Sequence, residues 1–150
     1  MTEADFWELI GKLDWDRTGD DAAVIKPVVE ALARRSVSDI EQFEAILAER
    51  LFSLDTEQHA RQIGKWAYSG PDTEFSVDFF LYVRCCVVAN GRAFFENALK
   101  NPARMPKDVE FEALLSVAGE AHRLKTGEEF TFVPPVSYET FANAAGWAAA

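Results

Sequence analysis

This sequence contains very little cysteine and no long apolar run. Its two cysteines are adjacent, and neighbouring residues on a helix or strand point in divergent directions, so they do not make a disulfide framework. No stretch approaches the roughly 18 apolar residues of a membrane-spanning helix. The N-terminus also lacks the basic start and apolar core of a secretory signal. We therefore expect a cytoplasmic protein that has no membrane partner.

Motifs of known catalytic or cofactor sites are missing as well. There is no Gly-x-Ser-x-Gly elbow, phosphate-binding glycine loop or dinucleotide fingerprint. Cys85 and Cys86 need a nearby base to act as nucleophiles, and nothing in the local pattern places His59 or His122 beside them. Neither histidine has a second ligand at zinc-binding spacing. We predict no metal and no cofactor, and we interpret the cysteines as core residues.

Basic residues are in the minority. The chain has 15 Lys and Arg against 25 Asp and Glu, a formal net charge of -10, which opposes binding to nucleic acid. Residues 1–21 and 108–150 each carry seven acids and two bases, whereas residues 22–107 carry eleven of each. If the fold brings the two ends together, they form a negative face that attracts a basic protein partner. The alternative is a solvated surface that keeps the protein in solution.

Apolar residues are abundant, at 49% with twelve Phe and four Trp, which predicts a folded core. They recur at spacings of three and four along most of the chain, as expected for amphipathic helices. The predicted helices lie at about residues 3–13, around 24–32 with a start or a kink near Pro27, 38–54 after a capping box of Ser38 and Glu41, 55–66, 76–90, 91–101 and 108–127 after Asp108.

The most apolar stretch, FFLYVRCCVVANG at residues 79–91, allows a helix or a buried strand. The segment from Ser76 to Asn90 is longer than most strands and has helix start and stop residues at its ends, so we predict a central helix. Arg84 lies in its middle, where an unpaired charge costs several kcal/mol. We expect a carboxylate of the first helix, or Glu110 or Glu112, to pair with Arg84. The alternative is an anion-binding arginine in a pocket.

The last residues change in character. The segment from about 128 to 150 crosses a double proline and ends in small residues, which indicates an extended arm with at most one short strand and a short helix from about Ser137. No repeat or linker divides the chain. We predict one mostly α-helical, bundle-like domain over residues 1–150, with a core at about 3–127 and six or seven helices around the central one.

An acidic turn joins the first two predicted helices. In DWDRTGDDAAVI, four residues match the first half of a helix-loop-helix calcium site: Asp14, Asp16, Thr18 and Gly19. The twelfth position of that site requires a bidentate acid and is Ile25 here. A turn followed by a helix that Asp20 or Asp21 caps explains the same residues. We do not predict calcium binding, but Asp14 and Asp16 remain candidates for contact with a basic partner.

Tryptophans are the other candidates for such contact. Trp7 lies beside the apolar stripe of the first helix, and Trp15 lies in the acidic turn. A large aromatic side chain outside the core stripe either covers another element or meets a partner, and both alternatives stay open. The candidate binding residues are therefore Arg84, Trp7, Trp15, Asp14 and Asp16.

Several segments together resemble a known family. FWELI, SDIEQFEAILAERLFSLDT, FLYVRCCVVANGRAFFENAL, MPKDVEFEALL and KTGEEF are similar to a bacterial family catalogued as domain of unknown function 4240, over about residues 5–130. The resemblance implies a small, largely helical bacterial domain and assigns no catalytic residue.

Two functions are compatible with these observations. The first is a non-catalytic, acidic protein-binding module with an immunity-like or regulatory role. It is favoured by the charge asymmetry and by the lack of a complete catalytic motif. The alternative is an enzyme whose site is assembled from scattered residues around Arg84 and a histidine, because catalytic groups converge in three dimensions.

Overall fold

Helices account for the regular structure of the protein in the computed structural model, which describes residues 1–148. The helices are α1 (Glu3–Ile10), α2 (Asp21–Ala33), α3 (Val37–Ser53), α4 (Glu57–Ala60), α5 (Val77–Ala89), α6 (Arg92–Lys100), α7 (Val117–Thr126) and α8 (Ala144–Trp147). Short 3₁₀ turns lie at Trp15–Arg17, Pro102–Arg104 and Glu112–Ser116. Residues 1–148 contain no strand, and the prediction of a mostly α-helical domain is confirmed.

The central helix of the bundle is α5, as predicted. Its N-terminus is capped by the Ser76 hydroxyl, which accepts a hydrogen bond from the amide of Phe79 at 3.1 Å. From Phe80 onward its side chains are buried on nearly every side, apart from Tyr82. It packs against α3, α6 and the 3₁₀ turn at Glu112–Ser116. The choice of helix over strand for this apolar stretch is confirmed.

Several further helices form the core around α5. The apolar stripe predicted along α3 is fully buried: Ile40, Phe43, Leu47, Leu51 and Leu54. The predicted stripe of α1 is buried too, at Phe6, Leu9 and Ile10. Helix α2 packs along α7, and α7 also contacts α3. No helix within residues 1–148 has both the length and the apolarity to cross a membrane.

Three helix starts differ from the predicted positions. Helix α2 begins at Asp21, so Pro27 lies inside it, and Asp20, one of the two predicted caps, accepts from the amide of Ala23. Helix α3 begins after Ser36, whose hydroxyl accepts from the amide of Asp39, two residues before the predicted capping serine.

The third case is Asp108, which does not start α7. Its carboxylate accepts from the amide of Lys65 at 2.8 Å, and its φ of 57° is left-handed. The long helix predicted from Asp108 is therefore a 3₁₀ turn followed by α7, which begins at Val117.

Three further segments are less helical than predicted. Helix α1 ends at Ile10 with Gly11 as its cap, and the helix predicted over residues 55–66 is the single turn α4. The arm forms α8 only at Ala144–Trp147, because Phe141 has a φ of 78° and interrupts any helix that starts at Ser137. The end of the predicted arm, residues 149–150, lies outside the described residues.

Candidate functional site

The two acidic ends of the sequence meet beside α5. We define the acidic aromatic face by four aromatic side chains and four carboxylates that surround this junction. They are Trp15, Trp66, Phe79 and Tyr82, with Asp21, Asp78, Glu110 and Glu112. Asp21 comes from the acidic N-terminal segment, whereas Glu110 and Glu112 come from the acidic C-terminal segment. The fold therefore joins part of each acidic end in one surface.

Two contacts connect these segments. The Trp15 ring packs on the Phe111 ring with their centroids 5.1 Å apart, which attaches the first 3₁₀ turn to the segment before α7. The amide of Phe111 donates to the carbonyl of Tyr82 at 3.1 Å, which attaches that segment to α5. Glu110 and Glu112 flank Phe111, so these contacts fix where their backbones lie.

Two open grooves run through the face. One has a volume of about 380 Å³ and is lined by Asp21, Glu112 and the residues that follow Glu112. The other has a volume of about 470 Å³ and is lined by Trp66, Ser76, Asp78, Phe79, Tyr82 and Glu110. Trp15 and Trp66 are 42% and 40% exposed, so large apolar surfaces lie beside the carboxylates. The grooves thus offer both charge and aromatic area.

The carboxylates of the face have no cationic partner, in contrast to acids of α1. Within residues 1–148, Asp21, Asp78, Glu110 and Glu112 form no ion pair. On α1, Glu3 pairs with Arg50 at 3.1 Å, and Asp5 lies 3.7 Å from Arg35. Part of the N-terminal acidity is therefore neutralised locally, and the charge of the face is not.

These acids act on Tyr82. Burial and the nearby carboxylates of Glu112, Asp78 and Glu110 raise the pKa of its phenol. One cation lies nearby: the Lys65 ammonium is 5.1 Å from the centroid of the Trp66 ring. A cation already stacks on an aromatic ring at this face, which is the interaction that a basic ligand would use.

Arg84 lies elsewhere and is fully buried. Its Nη1 donates to the carbonyls of Leu51 and Tyr138 at 2.9 and 3.0 Å, and its Nη2 donates to the Thr140 hydroxyl at 3.0 Å. Its Cζ atom is 4.6 Å from the centroid of the Phe80 ring. Burial lowers the pKa of Arg84 to about 10, and the nearby Asp55 carboxylate opposes this shift.

The prediction that a carboxylate pairs with Arg84 is therefore wrong. No acid within residues 1–148 pairs with it directly, and neither Glu110 nor Glu112 approaches it as a partner. Two carbonyl oxygens and a hydroxyl take the place of the carboxylate: the Leu51 carbonyl comes from α3, and the other two acceptors come from the C-terminal arm. The charge of Arg84 is thus held internally, but without an acid.

Asp55 also binds the C-terminal arm, as an acceptor of hydrogen bonds, and it was not identified from the sequence. It is fully buried, and its carboxylate accepts from the amides of Phe141 and Asn143 at 3.2 and 3.0 Å and from the Trp147 indole at 2.7 Å. These partners lie 86 to 92 residues away in the chain, so no local spacing indicates them. Asp55 and Arg84 together hold the arm against the bundle.

Within residues 1–148, neither histidine ring is hydrogen-bonded to a cysteine or to the other histidine. Burial raises the pKa of the Cys85 thiol and raises that of Cys86 to about 12, which disfavours the nucleophilic thiolate. His59 is buried, and its Nε2 lies 2.9 Å from the carbonyl oxygen of Ala98. His122 is hydrogen-bonded to the carbonyl of Glu128. Neither histidine is a hydrogen-bond partner of Arg84 within residues 1–148.

The remaining candidate residues divide between two regions. Trp7 is half-buried and covers the core, with its ring centroid 5.0 Å from that of Phe6 and 5.6 Å from that of Phe95. Asp14 caps the 3₁₀ turn of Trp15 by accepting from the amide of Asp16 at 3.2 Å. The structure thus brings Trp15, Asp14 and Asp16 together, and it places Trp7 and Arg84 elsewhere.

Comparison with known proteins identifies the family of this chain. The family model described as Protein of unknown function (DUF4240) matches residues 1–123. No curated protein and no solved structure matches the chain. The acidic aromatic face lies entirely inside the matched region, whereas the arm segment that contacts Arg84 and Asp55 lies beyond it. The chain belongs to this family of proteins of unknown function.

Proposed function

We propose that this protein is a non-catalytic binding module of the bacterial cytoplasm, with an immunity-like or regulatory role. Its ligand is a basic segment of a partner protein, and its binding surface is the acidic aromatic face. The observation that carries the proposal is the set of four carboxylates without an ion pair within residues 1–148, beside exposed tryptophan rings.

The chemistry of the face fits arginine and lysine side chains. Unpaired carboxylates attract a basic partner from a distance and increase its association rate, without an internal ion pair that binding must first break. Exposed tryptophan and tyrosine rings accept guanidinium groups by stacking, and aromatic residues are enriched at protein interfaces. Asp14 and Asp16, next to Trp15, extend the negative charge at one edge.

The enzyme alternative has less support. It requires Arg84 to reach a substrate together with a histidine, but Arg84 is fully buried and two of its guanidinium nitrogens are already hydrogen-bonded. The thiols and histidines are occupied in packing and backbone hydrogen bonds. The binding module is therefore the function that the geometry favours.

A charge-matched pair of variants tests the proposal. A partner captured from lysate of the source bacterium is purified, and its affinity is measured for the wild type, Asp78→Asn/Glu110→Gln and Glu8→Gln/Glu49→Gln. Both double variants remove two negative charges, but Glu8 and Glu49 are exposed outside the face. We expect the first to weaken binding by at least about tenfold and the second by less than about twofold at moderate salt. Equal weakening by both would show that only the net charge matters and would refute the proposed surface.

A further inference from the structure

Glu44 is a buried carboxylic acid that the packing of the bundle does not explain. It lies on α3 among the core residues and is only 7% exposed. Its Oε2 atom is buried and has no hydrogen-bond partner within residues 1–148. Burial raises the pKa of Glu44 to about 7. An apolar residue or glutamine at this position would avoid the cost of burying an unpaired carboxyl group.

Clefts lie on both sides of Glu44. The first, of about 370 Å³, is bounded by α7 and the start of the arm and is lined by Leu115, Ser116, Glu120, Arg123, Glu129 and Phe130. The second, of about 300 Å³, is bounded by the arm itself, including Phe132, Val136, Tyr138 and Glu139. Glu44 lines both clefts, so its carboxyl group is the polar group that they share.

Negative groups dominate around these clefts. Helix α7 contributes Glu120 and Arg123, and the arm contributes Glu129, Glu139 and the phenol of Tyr138. From α5, the Cys85 thiol is close enough to experience the charge of Glu44. Three carboxylates besides Glu44 therefore face one arginine. This excess disfavours an anionic ligand and favours a cation.

The type of cation follows from the lining. Residues 1–148 contain no group of three or more His, Cys, Asp or Glu side chains arranged to hold a metal ion. The clefts instead combine one deep carboxyl group with the rings of Phe130, Phe132 and Tyr138. Such a lining can enclose a short aliphatic chain and pair with the charge at its end.

We propose that the two clefts that share Glu44 form one binding site for an alkylammonium group, with Glu44 as its buried anionic partner and the aromatic rings of the arm around its methylene chain. The ammonium group can belong to a small aliphatic amine or to a lysine side chain of a polypeptide. This site is separate from the acidic aromatic face and does not rest on the function proposed for that face.

The experiment uses two probes on the full chain. Cadaverine represents a free amine, and the peptide acetyl-Gly-Gly-Lys-Gly-Gly-amide represents a lysine side chain. Their affinities are measured by calorimetry for the wild type, Glu44→Gln and Glu49→Gln, which is the control on the exposed side of the same helix. We expect binding by the wild type and by Glu49→Gln, and a loss of at least about tenfold in Glu44→Gln. The probe that binds more tightly identifies the source of the ammonium group.

A change of pH tests the same pairing without any substitution. Since burial raises the pKa of Glu44 to about 7, we expect the wild type to bind the better probe roughly 30-fold more weakly at pH 5.5 than at pH 8. The ring of His122 lies 5.2 Å from that of Phe130 and is titratable too, so Glu44→Gln is measured at both pH values to separate the two groups. If neither probe binds the wild type at pH 8, or if its affinity does not change between the two pH values, the proposal is wrong.

Discussion

Two buried ionisable groups lie under the C-terminal arm, and they differ in how many hydrogen bonds they form. Arg84 has three hydrogen bonds, two to backbone carbonyls and one to a hydroxyl, and a stacked ring, although its Nε atom has no partner within the described residues. Glu44 has an oxygen without any partner in the same range, between two clefts. Burial alone therefore does not distinguish a structural charge from a candidate binding group. The two are distinguished by how many of their polar atoms are hydrogen-bonded.

This difference has an energetic meaning. A buried charge most of whose donors are paired destabilises the fold mainly when its partners are removed. A buried acid without a partner destabilises the fold as it stands, and a ligand that pairs with it recovers part of that free energy. Arg84 accordingly belongs to the architecture, and Glu44 belongs to a candidate site. Substitutions at the two positions should have opposite effects on stability.

The largest expected effect is at Arg84. Arg84→Met keeps most of the side-chain volume but leaves the carbonyls of Leu51 and Tyr138 without their donor and Asp55 without its nearby cation. We expect the free energy of unfolding in urea to fall by about 4 kcal/mol, as when one partner is removed from a buried charge network. Arg34→Met, at an exposed position, is the control. A loss below about 1 kcal/mol would show that the arm does not depend on the guanidinium.

A substitution at Asp55 tests the second buried group that holds the C-terminal arm. Asp55→Asn is isosteric, but whichever way the amide turns, its NH₂ group meets a backbone N–H or the Trp147 indole, so a donor faces a donor. We expect a loss of about 3 kcal/mol and faster proteolysis within residues 128–148. Asp72→Asn, in an exposed loop, should change neither. Unchanged proteolysis of the arm in Asp55→Asn would contradict the role of Asp55 as its anchor.

Glu44 should show the reverse behaviour, together with a dependence on pH. Burial raises its pKa from 4.5 to about 7, so the folded protein holds this proton more tightly than the unfolded chain does. The resulting stabilisation is complete below about pH 4.5 and is lost as the pH rises through 7. We expect Glu44→Gln to be more stable than the wild type at pH 8, by up to about 3 kcal/mol, with the difference reversing or vanishing near pH 4.

The measurement for Glu44 is urea unfolding of both proteins at several pH values between 4 and 8. Other groups titrate in this range, but their contributions are common to the two proteins and cancel in the difference. A constant difference in stability across the range would mean that Glu44 is not the buried acid that the structure indicates.

The sequence predicts the bundle much better than it predicts these buried groups. The stripes of α1 and α3 and the central position of α5 follow from apolar periodicity, which is a local property of the chain. The starts of α2 and α3 depend on which of several polar residues caps each helix, and the sequence offers competing candidates within two residues. Asp108 has the sequence context of a helix cap, but its carboxylate accepts from the amide of Lys65. Local spacing does not indicate such a long-range contact.

The same limit explains the result at Arg84. Its burial follows from its apolar neighbours, but its partners are backbone carbonyls, which every residue carries and no sequence pattern marks. The prediction of a carboxylate partner failed for that reason. Asp55 and Glu44 were missed because both depend on how the arm folds back, and the arm lies beyond the segment that the family model matches.

The smallest expected effect comes from the residue that borders both buried groups. The carbonyl of Tyr138 accepts from Arg84, while its side chain lines the cleft beside Glu44. Tyr138→Phe keeps the backbone and the ring and removes only the hydroxyl, for which the described residues provide no hydrogen bond. We therefore expect the free energy of unfolding at pH 7 to change by less than about 0.5 kcal/mol. A loss above about 1 kcal/mol would show that the Tyr138 side chain, and not only its backbone, holds the arm. The effects of substitutions at Arg84 and Glu44 would then not be independent, because both positions would depend on Tyr138.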